Sequence, residues 1–296
     1  MSECGTERNE VVAIDLYSGR GGVGYALNAL GIQHVGVDIE DYADDYPGDF
    51  VQGDASDVSW LLDALESFLT EYETVILWMS PPCQRWSPLT KINATRYEWD
   101  EGEIEERYPG FKELNVREVI EAIDPDHYIV ENVPRCPKLE DPTRVNGLAF
   151  GLPFDLERHF ETSYPVPDAV EKGRPDLTMS TRDNYNNTTY QRQELAEAKG
   201  VPTDWPEQSV HSAIPHEYVQ FLLAHCPAVD VHLPESLRQR PLSDEFVAQT
   251  DGGNHCDVQP DTDRALAKTT VLVWLVVVVL FVGMMSALAI LPGGIA

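Results

Sequence analysis

The chain reads as an α/β protein built on a parallel sheet, and three observations carry that reading. Short apolar runs at 11–17, 74–79 and 128–130 have the length of buried strands. Helical patterns lie between them, as in right-handed parallel crossovers. A glycine-rich turn, Ser18-Gly19-Arg20-Gly21-Gly22-Val23-Gly24, follows the first run directly. In such a sheet ligands bind outside the carboxyl ends of the strands, so the residues just after each run are the ones to read for function.

The first run, 11–17, leads through the glycine turn into a helical stretch at about 25–30. Glycines let the backbone approach a ligand, and the free N–H groups of a helix start favour an anionic group. A second strand, 34–38, ends in Asp38, 23 residues after Asp15, a spacing that suits ribose hydroxyls as well as it suits a helix cap. A third, 50–52, leads to Gly53-Asp54 and could bring Asp54 beside Asp38. Asp57 then caps a helix reaching Leu69, with Val58, Leu61, Leu62, Leu65 and Phe68 forming its core stripe.

The fourth run ends in Ser80-Pro81-Pro82-Cys83-Gln84. Two prolines restrict both their own φ and their predecessors, so Cys83 is held in a narrow range of directions at the sheet edge. By itself the tripeptide is equally a strand terminator beside a small buried thiol. The charged stretch 96–107 reads as a mobile loop over that edge. A helix at about 110–123 returns the chain to a fifth strand, 128–130, followed by Glu131-Asn132-Val133-Pro134. Glu131 thus arrives near Cys83.

Composition narrows the setting. With 296 residues and 43% hydrophobic content the chain can bury a sizeable core. Fifty acidic residues against 21 basic ones give a net charge of -29, and only six of the basic residues are lysines. That balance suits a cytosol of very high salt, where screening removes most of the self-repulsion, and it points to a halophilic source. The five cysteines are scattered and form no C-x-x-C pair, which indicates neither a disulfide framework nor a metal site and fits a reducing interior. Residues 1–10 are polar and show no signal-peptide pattern.

Taken together, Asp15-Leu16-Tyr17-Ser18-Gly19-x-Gly21-Gly22, Pro81-Pro82-Cys83-Gln84 and Glu131-Asn132-Val133 resemble, in that order, the motifs of the DNA (cytosine-5) methyltransferase family. Two later stretches agree. Leu156-Glu157-Arg158-His159-Phe160-Glu161 resembles the family's arginine-containing motif VIII, and Ser212-Ala213-Ile214-Pro215-His216-Glu217-Tyr218 its closing motif X. The likeness spans 11–225 and is closest to compact versions from phages, viruses or haloarchaea.

The resemblance implies a Rossmann-like, S-adenosylmethionine-dependent methyltransferase fold: a catalytic core over 11–162, a short target-recognition region over 163–206, and a returning motif X helix over 207–226. It implies that Cys83 attacks cytosine C6, that Glu131 serves ring N3 and that Arg158 contacts O2. Tyr17, Gly19, Gly21, Gly22, Asp38, Ile39, Asp54 and Pro82 would hold the cofactor. Gln84, Asn132, Arg182 and Arg192 would meet double-stranded DNA around the flipped base, as part of a restriction-modification type of DNA methylation. Arginine, asparagine and glutamine read base edges, although the 182–192 stretch is equally explained as a solvated polar loop. Leu156 departs from the family, which usually has a second arginine there. Two other readings stay open: an amino-group methyltransferase, whose Ser-Pro-Pro is followed by an aromatic, and a degenerate member that binds without turnover.

Beyond motif X, 227–268 is acidic and proline-bearing without an apolar period, and reads as a flexible linker. Residues 269–291 then run 23 positions without a charge, long enough for one membrane-spanning helix. Arg264 and Lys268 precede that run, so the catalytic domain is expected on the cytoplasmic side, anchored by a single C-terminal helix.

Overall fold

A computed structural model describes residues 9–177 and 189–238, all within one compact unit that ends at Pro241. Its elements are β1 (Asn9–Leu16), α1 (Gly22–Ala29), β2 (Gln33–Asp38), β3 (Asp49–Gln52), α2 (Val58–Ala64), α3 (Glu66–Glu71), β4 (Tyr72–Met79), α4 (Pro88–Tyr97), α5 (Glu101–Arg107), α6 (Val116–Ile123), β5 (His127–Asn132), β6 (Thr143–Val145), β7 (Arg158–Thr162), α7 (Thr189–Lys199), α8 (Glu207–Ser212), α9 (His216–Leu223) and α10 (Glu235–Arg238).

The strands form one seven-stranded sheet in the order β3-β2-β1-β4-β5-β7-β6. The first five pair in parallel, and β7 runs antiparallel to both β5 and β6. The sheet is therefore mixed, where strand and helix alternation alone predicts a parallel one. Its order reverses between β1 and β4, which makes the crevice beyond Leu16 and Met79 the place where a doubly wound sheet takes a ligand.

Val12, Ile14, Leu16, Val35, Val37, Leu77, Met79 and Val130 from the strands pack with Leu61, Leu65, Val116 and Val119 from the helices. Strands buried on both faces lose the usual alternation, which explains the continuous apolar runs in the sequence. A second cluster joins Phe154 and Leu156 to Leu195 and Ala196 of α7, and to Trp205, Val210 and Ala213. Residues 189–213 are thereby packed onto the part of the chain that leads into β7.

Several elements differ from the sequence reading for identifiable reasons. The helix expected over 57–69 is two helices, because Leu65 leaves helical geometry at φ -103, ψ 6 while its side chain stays buried. Asp57 does cap the first, accepting from Trp60 N at 3.1 Å. The charged 96–107 stretch is not a loop. Ser87 caps α4 with Pro88 behind it, and Asp100 and Glu103 form a reciprocal capping box at the start of α5. The chain also stays on the body past 227: Leu237 is buried, and Gln220 Nε2 donates to His232 O at 2.9 Å.

Among the described residues no helix is long and apolar enough to cross a membrane. The apolar run 269–291, the linker beyond 238 and Arg182 lie outside the described residues.

The reversed strand is tied down by charge. Glu161 on β7 is buried and takes a bidentate pair from Arg117 of α6, a backbone N–H from Glu140 at 2.8 Å and the Tyr128 hydroxyl at 3.3 Å. Removing the carboxylate leaves Arg117, itself partly buried, without its partner. Glu161→Ala is expected to cost about 3 kcal/mol in chemical denaturation at constant salt. A loss under about 1 kcal/mol would mean that the pair is no more than a surface contact.

Candidate active site

Three chain segments converge beyond the strand ends. The first is the turn after β4. Ser80 N donates to Leu16 O at 3.1 Å, joining the turn to the end of β1, and the Trp78 indole donates to Ser80 Oγ at 3.0 Å. Pro81 is buried, and Cys83 sits at φ -94, ψ 0, in the sparsely allowed bridge region, before the short helical turn Gln84–Trp86. The second is the end of β5. Asn132 is wholly buried; its Nδ2 donates to Pro81 O at 3.0 Å and its Oδ1 accepts Val133 N at 3.0 Å. Asn132, expected at the substrate, therefore fixes the turn that carries Cys83 and presents nothing to a ligand.

The third is the start of β7, which brings Arg158 back toward β5. Its Nε lies 3.0 Å from Glu131 Oε1, with only 15% of the arginine side chain and 9% of the glutamate side chain exposed. Arg158 also donates to Glu157 O at 3.0 Å. Burial pushes the Glu131 carboxyl up, and Arg158 and Lys199 oppose that shift. Burial likewise pushes the Cys83 thiol up, the Glu131 charge adds to the rise, and Arg158 counters it. In this arrangement the cysteine rests as a thiol beside a carboxyl that burial inclines to keep its proton.

A cleft of about 720 Å³ joins these groups to the glycine turn. Cys83, Glu131, Arg158, Pro82 and Gln84 line one part; Asp15, Tyr17, Gly19 and Gly22 line another; Trp205, Gln208, His211, Ala213 and Ile214 close the far side. Gly21 has φ +93, and a Cβ there would come 2.7 Å from the Tyr46 ring, so only glycine serves. Tyr17 has φ +59 and its hydroxyl donates to Leu114 O at 3.1 Å.

Asp38 stands at the end of β2, where Gly19 N donates to its Oδ2 at 2.8 Å and Glu40 N to its Oδ1 at 3.0 Å. It shapes the glycine turn as well as standing at the sheet edge, and burial raises its pKa. Ile39 follows with 67% of its surface exposed, an isolated apolar side chain at the strand end. Asp54 is exposed and accepts from Ser56 N at 2.9 Å and Ser56 Oγ at 2.7 Å, the pattern of a turn. Neither Asp38, Ile39 nor Asp54 lines the cleft itself. Arg192 lies in α7 with its Nε buried and without a hydrogen-bond partner, also away from the cleft lining.

Sequence reasoning passes over three features. Asp15 is wholly buried at the cleft floor; its Oδ2 accepts the Tyr46 hydroxyl at 3.2 Å and its Oδ1 has no partner. Burial carries its pKa to about 8, with the Tyr46 bond opposing and the Asp38 charge adding. Tyr46 comes from a loop with no periodic signal. Lys199 is wholly buried behind the far wall, and its one sequence signal is a lysine inside the apolar face of α7.

No protein-family model and no curated protein matches the chain. Among solved structures 18 chains match, including an Entamoeba histolytica methyltransferase, EhMeth, at 11% identity over 74% of this chain and 98% of that one, with a TM-score of 0.47.

The charge arrangement makes Cys83 reactivity a direct probe. The Glu131 charge raises the thiol pKa, so Glu131→Gln should speed alkylation of Cys83 by iodoacetamide at pH 8. Arg158→Gln should slow it. Peptide-resolved mass spectrometry separates Cys83 from the other cysteines, and equal rates in all three proteins would mean that the groups do not sense one another.

Proposed function

We propose that the chain is a DNA (cytosine-5) methyltransferase that uses S-adenosylmethionine. The observation that carries the proposal is the convergence of Cys83, Glu131 and Arg158, from three separate chain segments, on one cleft shared with a glycine turn. The order of the sheet, 3-2-1-4-5 before the reversed strand, supports the same reading, because its switch point lies at that cleft.

The residues present fit the cofactor. Asp15 offers an unpartnered buried oxygen at the cleft floor and the glycine turn gives close backbone approach, while Asp38 and Ile39 stand at the neighbouring strand end, outside the cleft lining. When bound, S-adenosylmethionine supplies an electrophilic methyl group.

The protein's own part is to make cytosine C5 nucleophilic. Cytosine must leave the duplex to reach Cys83. Addition of the Cys83 thiolate to C6 forms an S–C6 bond and pushes electron density through the ring toward C5 and N3. Glu131, whose pKa burial raises, delivers a proton to N3 as that density arrives, and Arg158 meets the developing charge on O2. After methylation the C5 proton is lost to base, the S–C6 electrons leave with sulfur, the N3 proton returns to Glu131, and the ring is restored.

Leu156, where the family usually has arginine, does not argue for a degenerate protein. It is 8% exposed within the second core cluster, and its carbonyl accepts the Tyr218 hydroxyl. The position serves packing here, which leaves Arg158 as the cation of the site. In this reading the uncharged run 269–291 would hold the enzyme at a membrane with its cleft on the cytoplasmic face.

DNA binding by so acidic a chain calls for local cations. Lys91, Arg96 and Arg135 line an open groove of about 540 Å³ with Ile92 and Thr95, and none of the three forms an ion pair with a described residue. Arg85, next to the Cys83 turn, is in contrast held by Glu105 and Glu113. With roughly three phosphates neutralised, log K should fall with log salt at a slope of about -3. Lys91→Ala with Arg135→Ala should flatten the slope by about 2 and leave cofactor binding unchanged, whereas an unchanged slope would put the DNA elsewhere.

Duplex DNA carrying 5-fluorocytosine tests the chemistry, since fluorine at C5 cannot be lost as a cation and the S–C6 bond persists. On a denaturing gel, wild type with cofactor should shift, Glu131→Gln should shift faintly and Cys83→Ser not at all. Robust methylation by Cys83→Ser would overturn the proposal in favour of amino-group methylation.

A further inference from the structure

Lys199 ends α7 and is wholly buried, in a chain that has only six lysines. Its Nζ donates to three backbone carbonyls, Val210 O at 2.9 Å, His211 O at 2.9 Å and Ala213 O at 2.8 Å, which accounts for every proton of the ammonium. The Phe154 ring, its centroid 5.8 Å away, covers another side. Val210 and His211 belong to the last turn of α8 and Ala213 follows it, where carbonyls lack intrahelical partners and the helix end is negative. A buried cation is tolerable because it meets those oxygens together.

What the lysine holds is the far wall of the cleft. His211, Ser212, Ala213 and Ile214 line the cleft in front, and the lysine pins the same backbone from behind. That wall leaves no slack against the glycine turn: a Cβ added at Gly22 would come 3.1 Å from both Ala213 Cα and Ile214 N. The separation between the start of α1 and the wall is therefore set by where residues 210–213 are fastened.

We infer that Lys199 is a positioning residue for the cofactor, fixing the wall formed by 211–214 at the distance from the glycine turn that an adenosyl cofactor requires. The identity of that cofactor as S-adenosylmethionine rests on the methyltransferase reading above. One ammonium can satisfy three carbonyls, whereas glutamine has two donors and methionine none. The role predicts a graded response to donor number, which a residue that merely fills space would not give.

The test uses the full-length protein at one fixed salt concentration, with calorimetric affinity for S-adenosylmethionine and steady-state kinetics on saturating DNA. Lys199→Met should weaken cofactor binding about tenfold and raise KM for the cofactor in step, with any change in kcat, which reflects the Lys199 charge felt by Glu131, smaller than the change in KM. Lys199→Gln should fall between, about threefold from wild type. In wild type, hydrogen exchange at the amides of 211–214 should slow about tenfold on adding the cofactor, a measurement that needs no variant. A folded Lys199→Met with wild-type affinity, a fall in kcat at unchanged KM, or no change in exchange at 211–214 would each overturn the assignment. Failure of wild type to bind the cofactor at all would overturn the methyltransferase reading and this assignment with it.

Discussion

A carboxyl at the buried end of a strand is costly to ionise unless a cation meets it, and most of this site can be traced to how Glu131 is met. β5 alone would leave Glu131 among apolar neighbours, since β4 and β5 are parallel and both end at the same edge. Reversing β7 solves the problem, because an antiparallel neighbour begins where β5 ends. Arg158 is the first residue of that strand and reaches Glu131 at 3.0 Å. The reversal has its own requirements: Glu161 anchors the strand to α6 through Arg117, and Leu156 and Phe154 bury the chain leading into it. Arg158 is thus placed by packing and by a second, structural ion pair three residues away.

The cofactor half of the cleft is organised by a different constraint, the absence of side chains beside Tyr46. The Tyr46 ring occupies space that a Cβ on Gly21 would fill, and its hydroxyl reaches down to Asp15 at the end of β1. This leaves one oxygen of Asp15 satisfied and the other buried without a hydrogen-bond partner. Asp38 then fastens the glycine turn from the next strand through Gly19 N. Four residues from β1, the turn, β2 and the loop after it fix one wall, and Lys199 fixes the wall opposite. The two walls touch at Gly22 and Ala213, so the cleft has a defined width before any ligand enters.

Much of this was legible in the sequence, and the boundary has physical causes. The strand ends were legible because proline, glycine and acid residues stand where parallel strands stop, so Cys83, Glu131 and the glycine turn declare themselves locally. The capping box at Asp100 and Glu103 was equally visible, yet the charge of 96–107 drew the reading toward a loop; in a chain this acidic, charge is a poor sign of disorder. β7 was not legible as a strand because five residues flanked by irregular chain carry no period, although Arg158 within it was. The dual nature of Asn132 and Asp38 could not be read at all. An asparagine that touches a substrate and one that ties Pro81 O to Val133 N look alike until the three-dimensional partners are known. The same holds for Lys199, whose partners are backbone carbonyls and leave no trace in residue types.

The net charge of -29 bears on how such a site could approach DNA. Long-range attraction is absent, and at molar salt the Debye length shrinks to about 3 Å, so neither repulsion from the acidic surface nor steering toward a basic patch extends beyond direct contact. Under that screening the whole-molecule charge matters less than which cations are unpaired at the contact surface. Arginines that serve the fold are neutralised by neighbours: Arg20 by Asp45, Arg85 by Glu105, Arg117 by Glu161 and Arg144 by Asp168. Lys91, Arg96 and Arg135 form no ion pair with a described residue, and they stand together on one groove whose wall includes the helix that follows the Cys83 turn. An acidic protein can therefore present positive charge locally, with acids neutralising the arginines that serve the fold and keeping much of the rest of the surface hydrated.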